Sequence, residues 1–211
     1  MKREFFTTGD GSVTIHLPEW NEQYHSKHGA IAEAIHVFIK TGLHNWLDQN
    51  SEKEVSILEI GFGTGLNTFL TLLEASRKNL QIKYTAIEAY PVLLSEIKQL
   101  NYVELLDASE FDFLKLHQVE WETFSEIHSS FQLKKQNKFF SEIEDEEIYD
   151  LIYFDAFGAR VQPELWTEEI FKKMISALIP GGILVTYAAK GSVRRAMQAV
   201  GFTVERLPGP P

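Results

Sequence analysis

Apolar residues recur at helical spacing near the N-terminus and then fall into short runs along the rest of the chain. Over residues 28–47 they stand three or four positions apart, which predicts one long amphipathic helix. Before this helix, the segment 7–16 is rich in Gly, Thr and Asp and contains an Asp10-Gly11 pair, which predicts two strands joined by a turn. We therefore expect an N-terminal strand and helix extension over residues 1–50.

From residue 55 onward, strand patterns alternate with helix patterns. Compact apolar runs predict strands at 55–60, 82–87, 131–135, 149–154, 183–187 and 202–206. Helical spacing predicts helices at 66–76, 92–100, 109–128, 164–178 and 193–200. Such alternation is typical of an α/β fold in which a parallel sheet is covered by helices on both faces. Ligands of these sheets bind beyond the carboxyl ends of the strands, so the residues that follow each strand are candidates for a site.

Length and composition narrow the class of protein. The 211 residues favour a single domain, 1–211, with its core at 51–211. The absence of cysteine excludes disulfides, thiol catalysis and thiolate metal sites. No apolar run approaches the roughly 18 residues of a membrane span, and the N-terminus lacks a signal-peptide pattern, so we expect a cytoplasmic protein.

The formal net charge of −10 argues against non-specific binding of nucleic acid, which depends on Lys and Arg. The charge is unevenly distributed, however. Residues 161–211 carry six Lys or Arg against four Glu, so a local contact with a polyanion remains compatible with the composition.

A glycine-rich segment follows the first strand of the core. It reads Glu59-Ile60-Gly61-Phe62-Gly63-Thr64-Gly65-Leu66-Asn67. Glycines at alternate positions permit a sharp turn from strand to helix and let a ligand approach the backbone. The alternative is a tight turn used for packing alone. A dinucleotide fold would instead place a small residue at Leu66, in the pattern G-x-G-x-x-G.

Two carboxylates and an aromatic residue follow other predicted strands. Glu88 ends the strand 82–87, where a carboxylate can accept hydrogen bonds from both hydroxyls of a ribose; the alternative is a solvated surface residue. Asp155 follows the strand 149–154, where it could orient or deprotonate an acceptor; the alternative is a turn or N-cap role. Phe157 is either a wall for a substrate base or an ordinary core residue.

The pattern E-x-G-x-G-x-G resembles the first motif of the class I S-adenosylmethionine-dependent methyltransferases. This resemblance implies a Rossmann-like fold in which Gly61, Gly63 and Gly65 line the methionine pocket. It also implies that Glu59, at the strand end, organises the loop and meets the donor's amino group directly or through water. Asn67 belongs to the same motif, and Glu88 would hold the ribose.

Longer matches over essentially the whole chain resemble the methyltransferase domain of the MnmC family. The matching segments are Thr8-Gly9-Asp10-Gly11-Ser12, Tyr24-His25-Ser26, Tyr153-Phe154-Asp155-Ala156-Phe157, Pro163-Glu164-Leu165-Trp166-Thr167, Pro180-Gly181-Gly182, Val193-Arg194-Arg195 and Ala199-Val200-Gly201-Phe202. The resemblance implies S-adenosylmethionine as cofactor and the anticodon region of tRNA as substrate. The implied reaction is N-methylation of 5-aminomethyl-2-thiouridine at the wobble position.

The sequence departs from the family pattern in three places. Where the family has Gly-Asp after the third strand, this chain has Gln136-Asn137, so Asn137 is the candidate that accepts from the adenine amino group. The flavin-dependent oxidoreductase half has no counterpart here, so we do not expect this chain to remove a carboxymethyl group. The last antiparallel strand of the family is also expected to be missing.

Within this resemblance, Asp155 is the candidate catalytic residue, also placed to contact the donor. Arg194 and Arg195 are candidates for tRNA phosphates, with ordinary solvated helix charge as the alternative. The segment 24–26 is either a lid over the donor or a structural cluster. No His stands at metal-ligand spacing from His25, so we expect no metal, and we expect neither a membrane partner nor a state beyond the monomer.

Other functions remain compatible with the sequence. An aminopropyltransferase shares the glycine loop and both acidic positions, but it normally carries a further acidic residue after Asp155, where this chain has Ala156-Phe157-Gly158. A methyltransferase acting on another small molecule is a second alternative. A ligand-binding scaffold that has lost turnover is a third, non-enzymatic one.

Overall fold

The computed structural model describes residues 2–210, and it begins with a small antiparallel sheet. Its strands are β1 (Glu4–Thr7), β2 (Val13–Leu17) and β3 (Glu22–Gln23), paired in that order. Asp10 closes the connection between β1 and β2, because its carboxylate accepts from the Ser12 N–H and from the Thr8 hydroxyl. The predicted strand pair is confirmed, with strands that begin and end at slightly different residues.

A continuous helical segment follows. It consists of α1 (Ala30–Ala34), a π-helical stretch (Ile35–His44) and α2 (Asn45–Gln49), with right-handed helical backbone across both junctions. Gly42 brings this segment close to the central sheet, since a Cβ there would lie 3.1 Å from the Tyr153 ring. The predicted long helix is therefore confirmed, although its middle part is wound more loosely than an α-helix.

The core of the protein is a six-stranded sheet in the order β6-β7-β5-β4-β8-β9. The strands are β4 (Glu54–Ile60), β5 (Gln81–Ile87), β6 (Ser125–His128), β7 (Phe131–Gln136), β8 (Tyr149–Phe154) and β9 (Leu178–Val185). All pairs are parallel except β6 with β7. The mostly parallel α/β architecture is confirmed, with one antiparallel strand at an edge.

Helices cover both faces of this sheet. They are α3 (Leu66–Lys78), α4 (Leu94–Ile97), α5 (Tyr102–Leu105), α6 (Glu110–Gln118), α7 (Glu168–Ala177) and α8 (Gly191–Ala199), with 3₁₀ turns at Phe140–Glu142 and Pro163–Trp166. Neighbouring residues of β4 contribute to opposite cores, since Ile57 packs in one hydrophobic cluster and Leu58 in the other. Burial on both faces explains why the central strands are continuous apolar runs.

The predicted helix at 109–128 is wrong beyond its first half. The helix ends at Gln118 because Val119 adopts extended backbone angles, and Ser125–His128 then forms β6. Ile127 is buried between exposed neighbours, a period of two that identifies a half-buried strand. The predicted helix at 92–100 is also too long, since only Leu94–Ile97 is helical there.

The C-terminal predictions need two further corrections. The strand predicted at 183–187 instead runs from Leu178 to Val185 and includes the Pro180-Gly181-Gly182 segment, at which its register with β8 shifts. No strand forms at 202–206. Phe202 and Val204 pack against the core. A hydrogen bond from the Phe202 N–H to the Met197 carbonyl closes the preceding helix, and the residues that follow pair with no strand.

The ends of three central strands lie in register. Ile60 of β4 pairs with Ile87 of β5 and with Phe154 of β8. The residues that follow these strands are therefore brought to one edge of the sheet, as the parallel arrangement predicts. They are Gly61, Glu88 and Asp155.

Candidate active site

The turn between β4 and α3 requires glycine at three positions. Gly61, Gly63 and Gly65 have φ angles of 93°, 50° and 73°, in the left-handed region that other residues avoid. Added Cβ atoms would lie 2.8 Å from the Asp155 carbonyl oxygen, 3.1 Å from the Tyr24 ring and 2.9 Å from the His117 ring, respectively. The backbone of this turn is therefore packed closely on its neighbours and has no room for side chains.

Glu88 lies directly against the glycine turn. Its Oε2 accepts from the Gly63 N–H at 2.9 Å, and its Oε1 accepts from the Tyr90 N–H at 2.8 Å. Burial raises the pKa of this carboxyl, although the backbone hydrogen bonds oppose the shift. A carboxylate has about four lone-pair positions, so both oxygens can still accept from a ligand hydroxyl.

Asp155 is held in a fixed orientation at the end of β8. Its Oδ2 accepts from the Asn67 Nδ2 at 2.9 Å, and its N–H donates to the Ile60 carbonyl. Burial raises the pKa of this carboxyl to about 7. A carboxyl group with that pKa exchanges its proton near neutral pH, as a general base must.

Glu59 lies behind the glycine turn rather than at the cavity surface. It is 0% exposed, and its Oε2 accepts from the Thr68 hydroxyl at 2.6 Å. Burial, which outweighs this hydrogen bond, raises its pKa to about 8. The structure therefore places Glu59 where it can support Asn67 and the turn, but not among the residues that line the cavity.

A cavity of about 1100 Å³ opens above these residues. The small N-terminal sheet and the start of α1 form its roof. Three aromatic rings stand together on one wall, since Phe157 makes edge contacts with Trp20 and Tyr24 at centroid distances of 5.7 and 4.9 Å. Phe157 is thus partly exposed to the cavity, in an aromatic wall that could contact a planar base.

Two exposed aromatic rings flank the cavity beside Glu88. Tyr90 is 62% exposed and Phe139 is 54% exposed, and their centroids lie 6.0 Å apart. Sequence reasoning missed both residues. The position of Tyr90, two residues after Glu88, could have indicated that Tyr90 lies near the site. The exposure of the two rings could not be predicted, because it depends on the tertiary structure.

Charge in the cavity is strongly acidic. Arg3 is the one Lys or Arg side chain in its lining, among the residues described, and it pairs with Glu96 at 2.7 Å. Six carboxylates line the cavity, on Glu22, Glu33, Glu88, Asp155, Glu164 and Glu169. An environment of this sign favours a ligand that carries positive charge.

The segment 24–26 contacts the glycine turn from above. His25 is hydrogen-bonded through Nδ1 to the Thr14 hydroxyl at 2.9 Å and through Nε2 to the Thr64 hydroxyl at 3.3 Å. Burial lowers the pKa of His25 to about 4, so the ring is neutral at pH 7. His25 therefore joins β2 to the turn, while Tyr24 covers Gly63.

Five of the predicted residues lie outside the cavity lining. Besides Glu59, Gly65 faces the His117 and Phe62 rings and does not line the cavity as predicted.

The other three residues lie farther along the chain. The Asn137 side chain is exposed, and its Nδ2 donates to the Glu88 carbonyl at 2.8 Å. Arg194 and Arg195 are exposed on α8. The cavity lining thus brings together Gly61, Gly63, Asn67, Glu88, Asp155 and Phe157, but the two arginines are not part of it.

Within residues 2–210, no group of three or more His, Cys, Asp or Glu side chains is arranged to hold a metal ion. None of the helices in the same range is both long enough and apolar enough to cross a membrane.

Comparison with known proteins gives consistent matches. A family model described as an S-adenosyl-L-methionine-dependent methyltransferase matches residues 113–211. The tRNA 5-methylaminomethyl-2-thiouridine biosynthesis bifunctional protein MnmC of Hydrogenovibrio crunogenus is 28% identical over 207 residues, which cover 90% of this chain and 30% of that protein. The protein of the same name from Cupriavidus necator is 30% identical over 207 residues, covering 91% of this chain and 30% of its own length. This chain therefore spans about 30% of the length of these relatives.

Solved structures support the same relationship. MNMC2 from Aquifex aeolicus superposes with a TM-score of 0.78 at 25% identity, covering 96% of this chain and 65% of that one. Spermidine synthase from Thermotoga maritima superposes with a TM-score of 0.58 at 14% identity, covering 94% of this chain and 60% of that one. At that identity the second match shows a common fold only.

Proposed function

We propose that this chain is an S-adenosyl-L-methionine-dependent methyltransferase that N-methylates 5-aminomethyl-2-thiouridine at the wobble position of tRNA. The proposal is supported by the family model that matches residues 113–211 and by the similarity to MnmC proteins over most of this chain. The observation that carries this proposal is the position of Asp155. Its carboxyl group is held by Asn67, follows β8, and lies beside the glycine turn in an acidic, aromatic-walled cavity.

The residues of the cavity fit S-adenosyl-L-methionine. Gly61 and Gly63 line the cavity with backbone atoms alone, so a ligand can approach the turn, and Glu88 retains acceptor capacity for ribose hydroxyls. The negative lining matches a ligand that carries a sulfonium and an ammonium group. When bound, this donor supplies an electrophilic methyl group.

On the donor side, we assign a binding role to the glycine turn, Asn67 and Glu88. Tyr90 and Phe139 offer exposed ring faces for the adenine, and Asn137 has a free carbonyl oxygen near the same strand ends. Glu59 acts indirectly in this proposal, by supporting the turn from below.

On the acceptor side, the task of the protein is alignment and removal of a proton. A primary amine is an ammonium ion at neutral pH and has no free electron pair until it loses a proton. Asp155, with a pKa of about 7, can accept that proton within a buried site. Phe157 and Trp20 offer an aromatic surface on which the uracil ring can pack.

The rest of the tRNA must contact the protein outside the cavity. We assign Arg194 and Arg195 to phosphate contacts, since both are exposed and lie in the first turns of α8, whose N-terminal end favours an anion. Methyl transfer alone is proposed for this chain.

Replacing Asp155 tests this assignment. In Asp155→Asn the hydrogen bond with Asn67 can persist in a flipped geometry, but the base is lost, so we expect methyl transfer to fall at least about 100-fold. Donor affinity, measured by titration calorimetry, should change little. The wild-type rate should rise with pH through about 7, because only deprotonated Asp155 accepts a proton.

The outcome is measured as transfer of a labelled methyl group from S-adenosyl-L-methionine to tRNA that carries the aminomethyl group. An Asp155→Asn variant with the wild-type rate would contradict the role of this residue. Transfer of an aminopropyl group from the decarboxylated donor, with no methyl transfer, would instead indicate the aminopropyltransferase alternative.

A further inference from the structure

Most carboxylates in the cavity already have a partner. Glu22 pairs with Arg160 at 3.0 Å, Glu88 accepts from two backbone amides, and Asp155 accepts from Asn67. Glu164 and Glu169 are exposed. Glu33 is half-buried and, like Glu88 and Asp155, forms no ion pair within residues 2–210. Unlike those two residues, it lies in the roof of the cavity, on α1.

Glu33 is fixed at the start of the long helix. Its Oε2 accepts from the Ser26 N–H at 3.1 Å, which joins α1 to the segment that covers the glycine turn. The other oxygen, Oε1, is left for the cavity. Burial raises the pKa of Glu33, and the exposed His28 opposes that shift from the preceding segment.

Glu33 lines the same cavity as Asp155 and Tyr187, which follow β8 and β9. Its negative charge adds to the burial that raises the pKa of both side chains. Glu88 follows β5, on the opposite side of β4 in the sheet order β5-β4-β8-β9. The residues on which the charge of Glu33 acts therefore belong to the half of the cavity away from Glu88.

We propose that Glu33 is a second carboxylate of the acceptor site, which binds the ammonium group of the substrate from the roof while Asp155 approaches it from the sheet. This inference rests on the proposed function, since it assumes that the acceptor is an amine. An ammonium ion between two carboxylates is a favourable arrangement because each N–H finds a charged acceptor.

The proton balance is then defined. The ammonium group gives one proton to an Asp155 carboxylate oxygen and keeps an N–H on the Glu33 carboxylate, which stays ionised. The freed electron pair on nitrogen forms the new N–C bond as the C–S bond of the donor breaks, with the electron pair of that bond left on sulfur. The product is a secondary ammonium ion, still paired with Glu33.

The ammonium group that Glu33 binds could also belong to the donor, because the amino-acid part of S-adenosyl-L-methionine carries one. The position of Glu33 opposite Asp155 and Tyr187 favours the acceptor. Separate measurements of donor affinity and acceptor affinity distinguish the two sources.

The test is Glu33→Gln, which keeps an oxygen for the Ser26 N–H but removes the charge. We expect the KM for aminomethylated tRNA to rise at least about tenfold, as expected for loss of a hydrogen bond between charged groups. The Kd for S-adenosyl-L-methionine, measured without tRNA, should stay within about twofold of the wild-type value. Glu168→Gln is the matched control, since it removes one exposed carboxylate at a position outside the cavity lining, and we expect it to leave both constants unchanged.

The pH dependence of the methylation rate distinguishes the proposed role of Glu33 from a purely structural one, which would leave that dependence unchanged. Removing the negative charge of Glu33 lowers the pKa of Asp155, so the acidic limb of the rate profile should shift to lower pH. Glu33→Asp retains the charge and should keep the wild-type limb while raising KM. If Glu33→Gln is poorly folded, as judged by thermal unfolding, the separate KM and Kd values of Glu33→Asp test which ligand the carboxylate binds: a raised KM for tRNA with an unchanged donor Kd supports the proposal, and an unchanged KM contradicts it.

Two results would overturn the proposal. Weaker donor binding with an unchanged KM for tRNA would assign Glu33 to the donor, and unchanged constants with an unshifted profile would remove it from the site. In both cases the wild-type enzyme would still methylate the amine. Failure of the wild-type enzyme to do so would instead contradict the proposed function itself.

Discussion

Two buried carboxyl groups, on Glu59 and Asp155, lie on either side of Asn67. The negative charge of Asp155 adds to burial in raising the pKa of Glu59, which reaches about 8, above the value of about 7 at Asp155. Glu59 is therefore the group that keeps its proton to higher pH. We interpret neutral Glu59 as part of the support for Asn67 and thus for the orientation of Asp155.

This interpretation predicts a loss of stability as the pH rises. A carboxyl whose pKa is higher in the folded protein than its ordinary value of 4.5 stabilises the fold below that value, and the contribution disappears as the pH rises through about 8. The midpoint of thermal unfolding should therefore fall between about pH 5 and pH 8. Glu59→Gln, which mimics the protonated form, should flatten this dependence, while Glu54→Gln, at an exposed position of the same strand, should not.

Differential scanning fluorimetry across this pH range gives the comparison. A wild-type midpoint that rises over the interval, or a Glu59→Gln profile identical to the wild-type profile, would show that Glu59 is ionised in the folded protein.

At the residue scale, candidate site residues could be predicted from the sequence where they follow a strand, because the end of the strand fixes their position in the sheet. Gly61, Gly63, Glu88 and Asp155 each follow a strongly apolar strand, so their convergence could be predicted from the parallel arrangement alone. Glu33 could not be found in this way. It belongs to a helix distant in sequence, and only the folding of the N-terminal segment over the sheet brings it near Asp155.

In the proposed function, the glycine turn is the element on which donor binding depends most. Gly63→Ala places a Cβ 3.1 Å from the Tyr24 ring and forces a non-glycine residue to a φ of 50°. The backbone strain alone costs about 1–2 kcal/mol. We expect the affinity for S-adenosyl-L-methionine to fall at least about tenfold, because the turn must move or Tyr24 must be displaced.

Gly11→Ala is the control for Gly63→Ala, because it introduces backbone strain without placing a Cβ against a neighbouring residue. Gly11 also has a positive φ, 85°, but a Cβ there would meet nothing within 4 Å, and Gly11 does not line the cavity. This variant should lose stability without losing donor affinity. Equal donor affinities for the two variants, measured by calorimetry, would contradict the assignment of Gly63 to the binding surface.

At the element scale, periodicity predicted the central strands and the long N-terminal helix, but it failed where a pattern was short or mixed. The segment after Gln118 contains aromatic and charged residues that fit a helix as well as a strand, and its pairing with β7 decides the outcome. The segment 202–206 has strand-like composition, yet it pairs with no strand of the sheet.

The whole molecule combines an acidic cavity with an uneven surface charge. The net charge of −10 argues against non-specific binding of nucleic acid, but the cavity accounts for part of this charge, since six carboxylates line a space suited to cationic ligands. The exposed arginines of α8 lie outside that space. A local tRNA contact is therefore compatible with an overall negative charge.

The N-terminal segment forms the roof of the cavity, and polar contacts to distant parts of the chain hold it there. Arg3 pairs with Glu96, while Arg160 donates to the carbonyls of Trp20 and Asn21 and to Glu22. Sequence reasoning anticipated the extension and gave a lid at residues 24–26 as one of two alternatives, but it did not predict that Trp20 and Glu33 line the cavity. Contacts between segments more than 90 residues apart are not encoded in local patterns.

The most direct test of the central claim is identification of the reaction product. The purified protein is incubated with S-adenosyl-L-methionine and tRNA that carries 5-aminomethyl-2-thiouridine, and the nucleosides are then analysed by mass spectrometry. We predict conversion to 5-methylaminomethyl-2-thiouridine, dependent on the donor and absent when the wobble uridine lacks the aminomethyl group. Full binding of the donor with no methyl group on that nucleoside would contradict the account.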